Sequence, residues 1–163
     1  MKKLFLIRHA KSDWTANLSD YNRPLNKRGL KDAPIMGKRI FQLYNKPDYI
    51  ISSGAKRALH TAKLFAESCN YNANDILIED DLYHASDQTI INLIKSLPDV
   101  YNNVCIFSHN PGISEAVTQL TERYVFLKTC CVVIIEDNTE KWKEINDGNC
   151  KLIAHLTPKD NMN

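Results

Sequence analysis

Short apolar runs alternate along this chain with longer segments of mixed polarity, and that rhythm predicts its elements. Leu4, Phe5, Leu6 and Ile7 form an uninterrupted apolar run, the pattern of a strand buried on both faces. Residues 104–107 predict another buried strand, residues 49–51 and 76–78 two short strands and residues 130–135 a further one. Residues 141–145 and 151–156 predict two edge strands, with a turn at Asp147-Gly148 between them. Between the runs the period changes. Leu30, Ile35, Ile40, Leu43 and Tyr44 recur at helical spacing after a turn-rich loop over residues 14–28, with Leu25, Asn26 and Lys27 near the helix start. Pro34 suits a first turn better than an interior, so this helix either begins close to it or kinks there. Residues 55–69 predict a helix that buries Ala58, Leu59, Ala62, Leu64, Phe65 and Ala66, with Ser53 as its N-cap. Residues 89–97, stopped by Pro98, and 113–120 predict two more. Strands alternating with helices imply an α/β fold: a mostly parallel central sheet with helices on both faces, a three-layer α/β/α sandwich.

Composition narrows the class. A chain of 163 residues, 44% hydrophobic and 25% charged, suits one soluble domain spanning residues 1–163. A net charge of +2, with no basic stripe interleaved with aromatics, argues against nucleic acid, and no long apolar span argues for a membrane. The apolar run after Met1-Lys2-Lys3 ends at Arg8, too soon for a signal peptide, so the expected location is cytoplasmic. Cys69, Cys105, Cys130, Cys131 and Cys150 are odd in number and form no CxxC pair, which predicts reduced thiols.

The chemistry sits where the apolar runs stop. The first run ends in Arg8-His9, and an isolated charge is not stable in a dry interior. These groups therefore belong at a cleft on the carboxyl rim of the sheet, where open α/β sheets bind ligands. Alone, Arg-His at a strand end is equally well a solvated, idle pair. However, Arg57 begins the helix after the second run, and His109 follows the run at 104–107. Parallel strands bring those ends to one rim. Two guanidiniums and two imidazoles suit a tetrahedral dianion, because arginine offers bidentate, permanently charged donors and histidine can attack phosphorus. For Arg8 and His9 to meet one ligand the strand must turn at residues 10–12, whose N–H groups are then available to an anion. A metal site built from His9, His84 and His109 matches no ligand spacing. His60 and His155 read as packing residues, His84 as a surface histidine and Trp14 as a loop anchor or pocket shield.

LIRHAKSDW, SSGAKRALHTA (residues 52–62) and FSHNPGI (residues 107–113) stand in this order along the chain, and together they resemble the histidine phosphatase superfamily, also called phosphoglycerate mutase-like. Ala10 stands where that family usually has glycine, Gly54 where it has proline and His60 where it has glutamine. DYNRPLNKRG, residues 20–29, is similar to a stretch of SixA-type phosphohistidine phosphatases. The resemblance implies that His9 is the nucleophile and carries the phosphoryl group. It implies that Arg8 and Arg57 bind the equatorial oxygens, that His109 donates to them, and that no metal or cofactor takes part. Ser12 and the turn amides are further candidates for phosphate contact, and Arg23 is either a substrate contact lining the entrance or a solvated loop arginine. Many members use a carboxylic acid to protonate an alkoxide leaving group; Glu79, Asp80, Asp81 and Asp87 lie in that region, none in a specific motif. Imidazole leaves more readily than an alkoxide, so a site without a strong acid favours P–N cleavage. Roughly twenty-five residues between the Arg57 helix and the next are too few for a large cap. The expected substrate is therefore phosphohistidine on a protein, with a small phosphomonoester as the alternative, and a non-catalytic phosphate-binding protein as the reading from another class.

Overall fold

The computed structural model describes residues 1–15 and 17–160. Ala16, part of the loop expected at residues 14–28, and residues 161–163, part of the domain expected at 1–163, lie outside the described residues. The elements are β1 (Lys2–Arg8), α1 (Lys27–Tyr44), β2 (Tyr49–Ser52), α2 (Lys56–Ser68), β3 (Leu77–Ile78), α3 (Asp87–Lys95), β4 (Asn103–Ser108), α4 (Gly112–Thr121), β5 (Val132–Asp137) and β6 (Lys151–Leu156). The strands form a six-stranded sheet in the order β3-β2-β4-β1-β5-β6. β1, β2, β3 and β4 are mutually parallel, whereas β5 runs antiparallel to both of its neighbours.

The two-residue period of a strand divides the core. On β1, Leu4 and Leu6 join Val104, Ile106 and Ile51 against α3 and α4. Phe5 and Ile7 point the other way and join Ile50, Cys105 and Phe107 against α1 and α2. Each such side chain buried is worth about 1.5–3 kcal/mol of hydrophobic stabilisation. The two layers hold β1 rigidly at the centre, with its carboxyl end and that of β4 on one rim. The register Arg8↔Ser108 puts the ends of β1 and β4 side by side.

Four expectations need correction. Residues 141–145 do not form a strand; Trp142–Glu144 is a 3₁₀ turn. The Trp142 indole is buried and donates to the Tyr101 carbonyl at 2.9 Å, so its apolar residues fill the core rather than extend the sheet. The strand expected over residues 130–135 starts only at Val132, since Cys130 adopts a left-handed backbone (φ 61°) and its amide is drawn to the carbonyls of Arg8 and His9. On α1, Leu30, Ile35 and Leu43 are exposed. The buried stripe is Gly29, Ala33, Met36, Gly37 and Ile40, where small residues let the helix lie against Lys11 and against Phe65 and Ser68 of α2. The helix runs through Pro34, and its N-cap is the Asn26 side chain, which accepts from the Gly29 amide at 2.9 Å. Finally, Ser53 is not the N-cap of α2. Ala55 holds that position, and the Ser53 hydroxyl accepts from the Ala55 amide at 3.2 Å while also serving the site described next.

Candidate active site

His9 follows the last residue of β1, and its backbone amide extends the ladder to the Ser108 carbonyl at 3.3 Å. The chain then turns away. The Ala10 amide donates to Thr61 Oγ1 at 3.0 Å, and Thr61 in turn donates to the Arg57 carbonyl at 2.7 Å. The Ala10 amide expected to line an anion pocket is therefore committed to α2, and it ties the first strand to the Arg57 helix.

The His9 ring is 6% exposed, and its Nδ1 lies 2.8 Å from the Ala10 carbonyl. A carbonyl can only accept, so Nδ1 carries the proton and Nε2 keeps its lone pair. That lone pair faces Arg57, whose Nε approaches Nε2 at 3.4 Å. Burial, with the nearby His109, Arg57 and Arg8, pushes the His9 pKa well below 6.5, so the ring is neutral.

His109 follows β4, and its ring centroid lies 5.1 Å from that of His9. Its Nε2 is 2.8 Å from Ser53 Oγ. Either atom of that pair can donate; in the tautomer where the Ser53 hydroxyl donates, the neutral His109 ring holds its proton on Nδ1, an atom buried with no partner. Burial first, then Arg57, lowers the His109 pKa to about 3. Arg8 donates through Nη1 to the Leu127 carbonyl at 3.2 Å, while its Nε is buried without a partner. Among the described residues, the buried side-chain nitrogens and oxygens that lack a partner are Arg8 Nε, Arg23 Nε and His109 Nδ1. All are potential donors, and all belong to this rim. Buried polar groups are normally paired, so orphaned donors collected beside two arginines are a place prepared for an anion.

Arg57 is held by a residue the sequence did not single out. Its Nη1 donates to the Asp20 carbonyl at 2.6 Å and its Nη2 to Asp20 Oδ2 at 3.0 Å. The same carboxylate accepts from Arg23 Nη2 at 2.9 Å and from the Tyr83 hydroxyl at 2.5 Å. The Tyr83 bond, then Arg23 and Arg57, hold the Asp20 pKa well below the usual carboxylate range. The Tyr83 ring also packs edge-to-face with that of His109, centroids 5.5 Å apart and planes at 73°. Arg23 is buried rather than lining an entrance. It donates to Asp20 and to Ser12 Oγ, and its guanidinium stacks 3.7 Å from the centroid of the exposed Trp14 ring. Ser12 is thereby taken up in supporting Arg23. Asp20 lies three residues before Arg23 in the motif DYNRPLNKRG, which is the signal that would have found it; nothing comparable marks Tyr83.

Of the acidic candidates, Asp80 accepts from the Tyr21 hydroxyl at 2.8 Å, Glu79 from the Asp81 amide and Asp87 from the Gln88 amide. His84 is exposed, with its ring against Tyr83 at 3.9 Å. The described residues include no group of His, Cys, Asp and Glu side chains arranged to hold a metal ion.

The profile of the "Histidine phosphatase superfamily (branch 1)" matches residues 4–131. The chain belongs to that superfamily. This histidine phosphatase superfamily member is 31% identical over 175 residues to an uncharacterised chloroplastic protein of Arabidopsis thaliana, an alignment that covers 99% of this chain and 80% of the relative. Its fold is also that of a candidate phosphohistidine phosphatase SixA from Agrobacterium tumefaciens (TM-score 0.82, 24% identity, 96% of this chain and 98% of that one). A candidate alpha-ribazole-5'-P phosphatase from Escherichia coli K-12 shares it less closely (TM-score 0.70, 18% identity, 99% of each chain). The motif around Arg8 and His9 and that around Arg57 both lie inside the matched region, as does His109.

Proposed function

We propose that this chain is a phosphatase that removes the phosphoryl group from phosphohistidine on another protein, through a covalent phosphohistidine formed at His9. The observation that carries the reading is the His9 tautomer. With Nδ1–H on the Ala10 carbonyl, the neutral ring turns its Nε2 lone pair into the cationic rim, where it accepts only the long 3.4 Å contact from Arg57 Nε. Attack on phosphorus needs that lone pair, in-line positioning and neutralisation of the equatorial oxygens. Arg57 Nε, Arg8 Nε and His109 Nδ1 are the donors for those oxygens, and the last two have no other partner. Water then displaces His9 from the phosphoryl group and regenerates the neutral ring. The positive charge comes from side chains, so the scheme uses neither metal nor cofactor.

Substrate choice follows from the leaving group. Glu79, Asp80 and Asp87 are hydrogen-bonded to their own neighbourhood. A site without a committed acid suits imidazole, which departs without the strong proton donor an alkoxide requires. Only a 3₁₀ turn and the two-residue β3 separate α2 from the turn at Asp80–Leu82, so the rim carries no cap there and a protein side chain can reach it. The higher fold similarity to the SixA protein supports the same substrate class. Its similarity to the alpha-ribazole-5'-P phosphatase favours a second reading, hydrolysis of a small phosphomonoester. A single domain acting in the cytoplasm fits this assignment, and the free thiols suit a reducing compartment.

The test is turnover of a phosphohistidine-bearing protein against sugar phosphates and 3-phosphoglycerate, together with phosphoenzyme labelling. We expect faster turnover of the phosphoprotein and an acid-labile phosphoenzyme that His9→Ala abolishes. Faster ester hydrolysis would support the second reading; labelling that survives His9→Ala would move the nucleophile elsewhere.

A further inference from the structure

We propose that Asp20 is a further catalytic residue, whose carboxylate accepts the N–H of the substrate's imidazole while the phosphoryl group passes to His9. This rests on the phosphohistidine reading and adds the group that recognises the leaving ring.

Asp20 opens the 3₁₀ turn Asp20–Asn22, at the outer edge of the site. A carboxylate has about four acceptor positions. Oδ2 takes Arg57 and Tyr83, and Oδ1 takes Arg23. One position on Oδ1 is left, on a side chain that is 43% exposed. The partners that fill the others also keep the group ionised. It is therefore an acceptor and not an acid.

Its distance from the nucleophile is set by one guanidinium. Arg57 Nε is 3.4 Å from His9 Nε2, and Nη2 of the same group is 3.0 Å from Asp20 Oδ2. A phosphoryl group seated on Arg57 in front of His9 has its leaving nitrogen on the side toward solvent, where the substrate protein must lie. Asp20 is a carboxylate bonded to that same guanidinium and open to solvent. It is also near enough to His109 to oppose the fall in that ring's pKa.

The substrate ring carries the phosphoryl group on one nitrogen and a proton, taken from water, on the other; that N–H donates to Asp20. The lone pair of His9 Nε2 forms the new N–P bond. The old P–N bond breaks and its electron pair stays on the substrate nitrogen, so the ring leaves as neutral imidazole with its N–H still on Asp20. His9 becomes an N-phosphoimidazolium whose Nδ1–H stays on the Ala10 carbonyl. Positive charge passes from one ring to the other, and no proton has to cross the site. The Asp20 carboxylate thus does for the departing imidazole what the Ala10 carbonyl does for the attacking one, and as an anion it favours the protonated ring from which departure is easy.

The experiment compares wild type, Asp20→Asn and Asp20→Glu on a phosphohistidine-bearing protein and on p-nitrophenyl phosphate, whose phenolate leaves without a proton. Asp20→Asn slows both reactions, because Arg57 loses an ionic partner. The expected signature is a kcat on phosphohistidine that falls about tenfold or more beyond the fall on the ester, with Asp20→Glu restoring part of the difference. Equal losses on both substrates would overturn the proposal and reduce Asp20 to a holder of Arg57, leaving the phosphohistidine reading in place. A wild-type enzyme that prefers the ester would remove that reading and the proposal together.

Discussion

Arg57→Lys separates charge from geometry at this site. The wild-type guanidinium makes two short bonds to Asp20, at 2.6 and 3.0 Å, and points Nε at His9 Nε2. Lysine keeps the positive charge but has a single ammonium without the planar fork. It can recover one bond to Asp20 only by giving up the position facing His9. A charge-assisted hydrogen bond contributes about 1.5–3 kcal/mol, and two are lost; the 3.4 Å contact is long, so about 3–4 kcal/mol is the reasonable sum. At 1.36 kcal/mol per tenfold this is about a 150- to 1,000-fold loss in kcat/KM, the range measured when one preorganised oxyanion donor is removed elsewhere. The assay is steady-state hydrolysis of p-nitrophenyl phosphate and of a phosphohistidine protein, with acid-quenched phosphoenzyme as a second readout. Circular dichroism should show an unchanged fold, since charge and most of the buried methylene stem remain. A variant within about threefold of wild type on both substrates would refute the reasoning, because a point charge would then suffice and the fork held by Asp20 would be irrelevant.

Acid should destabilise the fold in a defined window. The His109 pKa is about 3 in the folded chain against 6.5 for the free ring, so the unfolded chain binds this proton first. The stabilisation is fully present above pH 6.5 and is lost as pH falls from 6.5 toward 3, at up to about 1.4 kcal/mol per pH unit; His9 is shifted in the same direction. Urea midpoints at pH 7.5, 6 and 5 should fall in that order, less steeply in His109→Asn; flat midpoints in the wild type would contradict the neutral, buried rings. Lys2→Met tests the buried ammonium at the amino end of β1. Its Nζ donates to the carbonyls of Asp99 and Tyr101 and to Asn102 Oδ1. The Trp142 indole still serves the Tyr101 carbonyl, so a loss of about 2–3 kcal/mol is expected in urea unfolding. In Gly112→Ala the new Cβ would run into the Ala85 carbonyl, a backbone group that cannot swing aside. About 1–3 kcal/mol of destabilisation is expected, read as a lower Tm.

The sequence determined the layered α/β architecture, because buried strands and amphipathic helices announce themselves by period, and apolar burial is the dominant drive for both. It also pointed to Arg8, His9, Arg57 and His109 as one constellation, since parallel strands bring the groups at their carboxyl ends to one rim. It determined the buried face of α1 only in part: Ile40 is buried as the period implies, but Gly29, Ala33 and Gly37 complete that face, and their value lies in how closely a neighbour can approach, which hydrophobic period does not record. It misread residues 141–145 for a related reason, since a tryptophan flanked by lysines fits an edge strand as well as a turn that drops one indole into the core. Only the tertiary structure decided what holds the constellation in place. Ser53 serves His109 from another strand end, and Tyr83 and Arg23 meet Arg57 through Asp20 across sequence gaps that no local pattern spans. Periodicity is a property of neighbours along the chain, whereas a hydrogen bond between distant residues exists only after the sheet has brought their ends together.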